Sequence, residues 1–300
     1  MQHAHRFTRL SALALGITGA LALGQVHASG FQLKENSAKG LGSAFAGTAA
    51  KTDDASAVTN NPAALARMSG TTVQVDVTAI DLNYQFEGTG TAANGTMPMT
   101  GGDGGNAGAV TPVPAMSVVH KFDNGLALGA MVSAPFGLKT EYDAGWVGRY
   151  HALESDVKII DLTLAASLEL SDSFSIGAGL VYEHADVTLS QAVDFGTIIC
   201  SQNPAACVGP TAQFGPQRND GFASINGTDN GWGWIVGVNW RPSEKWSLGY
   251  SHRSEIDHEL EGDGDFTVPP AVRTAFDANP LTRPLFLDGG ALAKLTTPAV

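Results

Sequence analysis

Ser251, His252 and Ser254 set two hydroxyls beside an imidazole, the residue types of nucleophilic catalysis. Their spacing argues against that use. Trp246, Leu248, Tyr250 and His252 fall on one face of a strict alternation, and Ser251 falls on the other, because successive strand side chains point to opposite faces. A base and a nucleophile on opposite faces do not meet, so no enzyme is expected. Arg253 shares its face with Glu255, Asp257 and Glu259; with Glu255 it reads as a structural ion pair or as a ligand-facing charge. Cys200 and Cys207 stand in a Pro/Asn/Gly-rich stretch. In an oxidising compartment they favour a small loop disulfide over two free thiols. With no histidine or further cysteine nearby, no metal is expected, and no other cofactor.

The compartment follows from the first 28 residues. Arg6 and Arg9 precede an apolar run from Leu10 to Leu23, and Val26-His27-Ala28 supplies a plausible cleavage site before Ser29. The run is shorter than the roughly 20 residues that span a bilayer, so residues 1–28 read as a cleaved secretory signal. Without them the chain keeps 15 basic against 29 acidic side chains, a net charge of −14. That balance disfavours nucleic acid as a partner. Glycine is abundant, 36 of 300 residues, and charged residues are sparse at 15%, a profile closer to a lipid-facing barrel than to a soluble core.

The elements that position these residues come in two kinds. Residues 29–70 show no strand alternation. A short helix is expected within Asn36–Ala46, another after Asp53-Asp54, and a turn at Asn60-Asn61-Pro62 with Pro62 opening a last helix, since proline pre-sets its φ at a first helical position. The segment is too small to hold a core alone and must pack inside something larger. From Thr71 the period becomes two. Val73, Val75, Val77 and Ala79 share a face, and the phase then passes to Ile80, Leu82, Tyr84 and Phe86, as a bulge would cause. Further strands are expected at 115–122, from Leu126, from Ile160 to Leu170, from Phe174 to Tyr182, from Trp232 to Trp240 and from Trp246 onward, with another starting near Ala291. Short turns at 123–125, 171–173 and 242–245 alternate with long connections at 88–113, 191–229 and 262–290. Short turns on one side and long loops on the other mark an outer-membrane barrel. Trp240 and Trp246, flanking a short turn, suit an aromatic girdle. The fold class expected is therefore an all-β transmembrane barrel, 71–300, with a small helical N-terminal hatch, 29–70. About seven to eight strands are visible. They do not complete a closed, even set, which lipid demands, so the chain reads as the N-terminal part of a longer protein.

Pro135-Phe136-Gly137 interrupts the third strand where alternation calls for continuous pairing. Proline gives no ladder hydrogen bond and glycine permits unusual φ; an ordinary strand end is the other reading. Phe266, Val272, Phe276, Leu281, Leu285, Phe286 and Leu287 gather in the last long connection. Apolar clusters of that kind mark binding sites when exposed, or the loop packs on itself.

Four motifs, in order, resemble the FadL-type outer-membrane transporters of long-chain fatty acids and other hydrophobic compounds. They are Gly30-Phe31-Gln32-Leu33 with Gly40-Leu41-Gly42 and Ala44-Phe45-Ala46-Gly47; Asp53-Asp54 with Asn61-Pro62-Ala63; Ser133 to Tyr142; and Tyr250-Ser251-His252-Arg253-Ser254-Glu255. The resemblance implies a barrel of about 14 antiparallel strands, plugged by the hatch, to which Asn61, Pro62 and Ala63 belong. It implies a lateral window at Pro135, Phe136 and Gly137, with Gly30, Phe31 and Leu33 reaching a ligand or merely packing the hatch. His184, Arg253, Phe276, Leu285 and Phe286 are the further ligand-binding candidates. The expected function is passive uptake of a long-chain fatty acid or a similar hydrophobic molecule by a monomer in outer-membrane lipid. His184 replaces a basic residue of the family, which leaves room for aromatic hydrocarbons. A general porin would lack the plug and the apolar loop. Use of the exposed loops as an adhesin is compatible with the sequence.

Overall fold

The computed structural model describes residues 32–92, 97–208 and 213–300; the signal segment, Gly30 and Phe31 lie outside them. Eight spatially successive antiparallel strands form one sheet in the order β1 (Thr71–Asp81), β4 (Val110–Lys121), β5 (Leu126–Glu141), β6 (Glu154–Ser171), β7 (Phe174–Asp194), β8 (Asp220–Ser243), β10 (Ile256–Thr267) and β11 (Gly289–Thr297). β9 (Trp246–Arg253) pairs with β8 on the same side as β10, so β9 and β10 act as one interrupted strand. A two-stranded ribbon, β2 (Thr91–Ala92) and β3 (Met97–Pro98), lies in the first long loop. No helix among the described residues is long and apolar enough to cross a membrane.

The sheet is inside-out relative to a soluble protein. Val75, Leu164, Leu180, Trp234 and Tyr250 are exposed, whereas Asp161, Thr163, Ser175, Glu183 and Asn239 have no accessible surface. Apolar outside and polar inside is what lipid on one face and a lumen on the other require. The outer face is also banded. Phe174 pairs with Trp240 at one level and Tyr182 with Trp232 at another; the latter rings lie 5.0 Å apart. Between these levels β7 presents only Ile176, Ala178 and Leu180 outward. Beyond Tyr182 the outward residues turn polar, with Thr188 bonded to Asn226 at 3.0 Å. The apolar band is thus about nine residues tall, what a tilted strand needs to cross lipid. The upper halves of β7 and β8 stand above it.

Several sequence expectations change. No bulge follows Ala79: β1 pairs with β4 without a break from Thr71↔His120 to Asp81↔Val110. Ile80 instead joins the inner face, as the unbroken alternation of β1 requires. The irregular stretch expected at 191–229 is largely regular. β7 runs to Asp194, helix α3 (Phe195–Gln202) follows, and β8 begins at Asp220. The strand there was hidden because, above the lipid, both faces are polar. The first helix is only α1 (Ala38–Leu41), since Ala44 and Phe45 adopt positive φ. Helix α2 (Ala57–Asn60) and a 3-10 helix (Pro62–Arg67), opened by Pro62, follow as expected. The last connection holds helix α4 (Pro270–Asp277) and is shorter than 262–290, because β10 extends to Thr267.

The first long loop is also more ordered than its glycine content suggests. Trp146, 8% exposed, sits in a socket of this loop. A side chain on Gly104 would collide with the rings of Tyr142 and Trp146, and one on Gly101 with the backbone from Gly145 to Val147; both glycines have positive φ. The glycines there serve close approach rather than looseness.

Candidate functional site

Three parts of the inner face define the site. The lowest is the docking of Asn61-Pro62-Ala63. Asn61 is fully buried. Its amide donates to the Ala49 carbonyl at 2.5 Å and to the Val238 carbonyl at 3.0 Å, and its Oδ1 accepts from the Ala63 N–H at 3.0 Å. Ser167 and Ser175 both donate to the Ala63 carbonyl, at 3.1 and 2.8 Å. Gly177 and Gly237 leave room for this turn: a Cβ on the first would strike Pro62 and Ala63, and on the second Asn61. Asp54 ties the same segment to β1. It accepts from Ser37 Oγ at 2.5 Å, from the Ser56 N–H at 2.9 Å and from Gln74 at 3.0 Å. Burial pushes its carboxyl up, but these donors outweigh it and hold the group below the usual carboxylate range. At the short-turn end, Arg67 and Lys121 both pair with Glu169, at 2.8 and 2.5 Å.

Above the turn lies a charged row. Ser133, Asp161 and Glu183 stand directly opposite one another on β5, β6 and β7. Two facing carboxylates repel, and Arg253 resolves this by pairing with Asp161 at 2.7 Å and also with Glu183. Ser133 donates to Asp161 at 2.7 Å, Thr297 donates to Glu183 at 2.9 Å, and His258 sits between Glu183 and Asp229, at 3.1 and 3.2 Å. Arg253 is therefore committed to the wall. Glu255 is not its partner: between β9 and β10 the inward phase passes from Arg253 to Ile256, His258 and Leu260, which turns Glu255, Asp257 and Glu259 outward. His184 also faces outward, where it bonds Asn230 at 2.9 Å. The inward residue is its neighbour Glu183, so His184 is not placed to meet a ligand in the lumen. Asp161, Glu183 and His258 escaped the sequence reading. The outward Tyr182 carried the signal, since it fixes Glu183 as inward.

The third part is the interruption of β5. β4 and β5 pair only as far as Met116↔Val132, while β4 continues along β1 to Val110. β5 shifts register against β6 between Ser133 and Phe136, then pairs on from Phe136↔Ile159 to Glu141↔Glu154. Along 133–141, β5 thus runs without β4 beside it. Two prolines, Pro112 and Pro114, lie on the matching stretch of β4, as suits a strand edge. The N-terminal segment partly covers the gap: the Leu33 N–H donates to the Pro135 carbonyl at 2.7 Å, Gln32 bridges to Phe136, and Leu33 packs by Gly137. The register shift turns Phe136 inward onto Ile159, Val187 and Leu260, forming an apolar shelf above the charged row.

The long loops close the upper end. Phe195, Ile199, Phe214, Val272 and Phe276 form a buried cluster with Phe286 at its edge. Phe276 is 2% exposed, meets Phe195 edge-on at 5.9 Å and stacks on Phe286 at 5.9 Å. It holds the loops together rather than facing outward, whereas Leu281, Leu285 and Leu287 are exposed. Cys200 and Cys207 are bonded, with Cα atoms 5.7 Å apart. Their bridge joins α3 to the 3-10 turn at Pro204–Cys207.

Residues 19–300 match the family model described as outer membrane protein transport protein (OMPP1/FadL/TodX). The chain is 28% identical over 261 residues to a long-chain fatty acid transport protein of Salmonella typhi, covering 86% of this chain and 58% of that protein. It is 30% identical over 256 residues to outer membrane protein P1 of Haemophilus influenzae, covering 79% and 56%. Among solved structures, a Pseudomonas aeruginosa FadL homologue superposes with a TM-score of 0.79 at 26% identity, over 90% of this chain and 64% of that one. The Pseudomonas putida toluene transporter TodX shares the fold, with a TM-score of 0.51 at 16% identity, over 84% and 62%. The chain spans less than two thirds of the length of each of these relatives.

Proposed function

The chain belongs to the outer membrane protein transport family (OMPP1/FadL/TodX), and from that premise we propose that the full-length protein admits hydrophobic small molecules passively across a bacterial outer membrane. Residues 29–70 act as a hatch held by the Asn61-Pro62-Ala63 turn. Cargo caught by the long loops, with exposed leucines such as Leu285 at their rim, reaches the apolar shelf of Phe136, Ile159, Val187 and Leu260. It leaves sideways into lipid between β4 and β5. Leu33 stands at that exit and, with Gly30 and Phe31 before it in the chain, contacts the cargo. Residues 1–28 direct export and are cleaved.

The observation that carries this reading is the loss of β4–β5 pairing beyond Met116↔Val132. Unpaired backbone at the lipid boundary is tolerated only where protein covers it or a cavity adjoins it, and here the N-terminal segment supplies that cover. An aqueous porin has no use for a side opening. Long-chain fatty acids are one cargo class. Uncharged aromatic hydrocarbons are the other, a cargo that suits an Arg253 already committed to Asp161 and Glu183 rather than to a ligand's carboxylate.

The test is uptake of labelled oleate and labelled toluene by a host that lacks its own transporter and expresses the full-length protein. Uptake of at least one above the empty host is expected. Uptake of neither, with the protein folded in the outer membrane, would sink the transport reading.

A further inference from the structure

A chamber of about 620 Å³ lies at the loop end of the molecule, bounded by the β1–β4 loop, the β5–β6 loop, the end of β7 and the start of α3. It shares no lining residue with the shelf beside β5, and it meets the phenylalanine cluster only at Val193 and Ile198. Its size falls within the usual range of small-molecule sites, about 300–1,000 Å³. Phe86, Met99, Trp146, Val147, Tyr150 and Ile198 line it.

The walls are held in place. Trp146 stacks on Tyr142 at 3.9 Å between centroids and meets Phe86 edge-on at 5.6 Å. Its indole N–H donates to the Ala152 carbonyl at 2.8 Å. Tyr150 donates to Asp220 at 2.6 Å. Burial first, and that hydrogen bond second, push its phenol well above the usual range, so it stays neutral. Arg149 stands behind this wall, its guanidinium 4.5 Å over the Tyr150 ring, and is paired with Asp220 at 2.8 Å and with the Thr100 carbonyl at 2.5 Å.

The charge of the lining is one-sided. Among the described residues no lysine or arginine lines the chamber; one carboxylate, Asp194, and one imidazole, His151, do. Asp194 is fixed as an acceptor by the Thr197 N–H at 2.9 Å and the Gln217 N–H at 3.1 Å. Aromatic and apolar walls beside a fixed carboxylate attract an apolar ring and repel an anion.

We infer that this chamber is a capture site for uncharged aromatic hydrocarbons of one to a few rings, and that it discriminates against the corresponding carboxylates. The inference rests on the transport reading for its physiological purpose, but the binding itself is testable apart from uptake. The probes are radiolabelled naphthalene and radiolabelled 1-naphthoate, equilibrated with the purified full-length protein in lipid nanodiscs. Specific binding is the part displaced by excess unlabelled compound. Wild type should bind naphthalene saturably and naphthoate at least about tenfold more weakly, as a repulsion of ~1.4 kcal/mol would give.

Met99→Trp and Val147→Trp fill the chamber from two different loops. Each should lower saturable naphthalene binding about tenfold or more, because the added bulk occupies the ligand's volume. Heat-shifted electrophoretic mobility verifies that each variant is folded. Unchanged naphthalene binding in both folded variants would overturn the site, and naphthoate bound as tightly as naphthalene would overturn the charge selection. Failure of oleate and toluene uptake by the wild type, with naphthalene binding intact and lost on filling, would instead remove the transport reading and leave the site standing.

Discussion

Arg253→Met is expected to destabilise the full-length barrel by about 3–5 kcal/mol, the usual cost of leaving a buried charge without its partner. Asp161 and Glu183 stand directly opposite each other with no accessible surface, and Arg253 bonds both. Removing the guanidinium leaves two carboxylates face to face, with Ser133, Thr297 and His258 as the remaining partners. Urea unfolding of the protein refolded into lipid vesicles measures the change. Adding Asp161→Leu and Glu183→Leu to the same variant should recover most of the loss, since a buried ion cluster replaced by apolar residues is often neutral or stabilising. A loss below about 1 kcal/mol for the single variant would place these charges in the surface-like class, reached by lumen water.

Gly177→Val carries the second large effect. Its Cβ would meet the backbone of Pro62 and Ala63, so the turn must leave its seat. Ser167 and Ser175 then lose the Ala63 carbonyl, and Val238 loses the Asn61 amide. Each buried polar group left unmade costs about 1–3 kcal/mol, enough to undock the segment while the β ladders persist. The expected outcome is a folded barrel whose lumen admits ions, seen as conductance steps in planar bilayers where the wild type is quiet. Asn61→Leu should act alike, because it removes the bonds to the Ala49 and Val238 carbonyls and to the Ala63 N–H. A quiet Gly177→Val barrel of wild-type stability would show that this turn does not hold the plug.

Much of the barrel was legible in the residues. The run from Ile160 to Leu170 alternates so regularly that its outer and inner faces follow from the spacing alone, and its inner residues are those found buried. Legibility fails where the wall leaves the lipid. Asp220 to Asn230 form half of β8, yet both faces there are polar and no alternation marks them. The one-position change of phase near Ser254 was equally silent, because Glu255, Asp257 and Glu259 continue the pattern of Arg253 while facing the other way. The interruption at Pro135 was readable because proline removes a donor. Its partner strand's Pro112 and Pro114 gain meaning only once the register sets them beside the gap. The socket of Trp146 depends on contacts between two loops far apart in sequence, which spacing does not encode.

The central claim is that cargo leaves through the gap between β4 and β5, and closing that gap tests it most directly. Pro112→Val, Pro114→Val and Pro135→Val together restore three backbone donors along the missing ladder. Two new hydrogen bonds, at about 1 kcal/mol net each, shift a closed–open balance by more than tenfold, ~1.4 kcal/mol being a factor of ten. Uptake of labelled oleate and toluene by cells expressing the full-length triple variant, at wild-type surface level and with wild-type heat-shifted mobility, is the measurement. A fall of about tenfold or more in whichever compound the wild type carries is predicted. Undiminished uptake by the folded variant would contradict lateral exit and place the path elsewhere in the barrel.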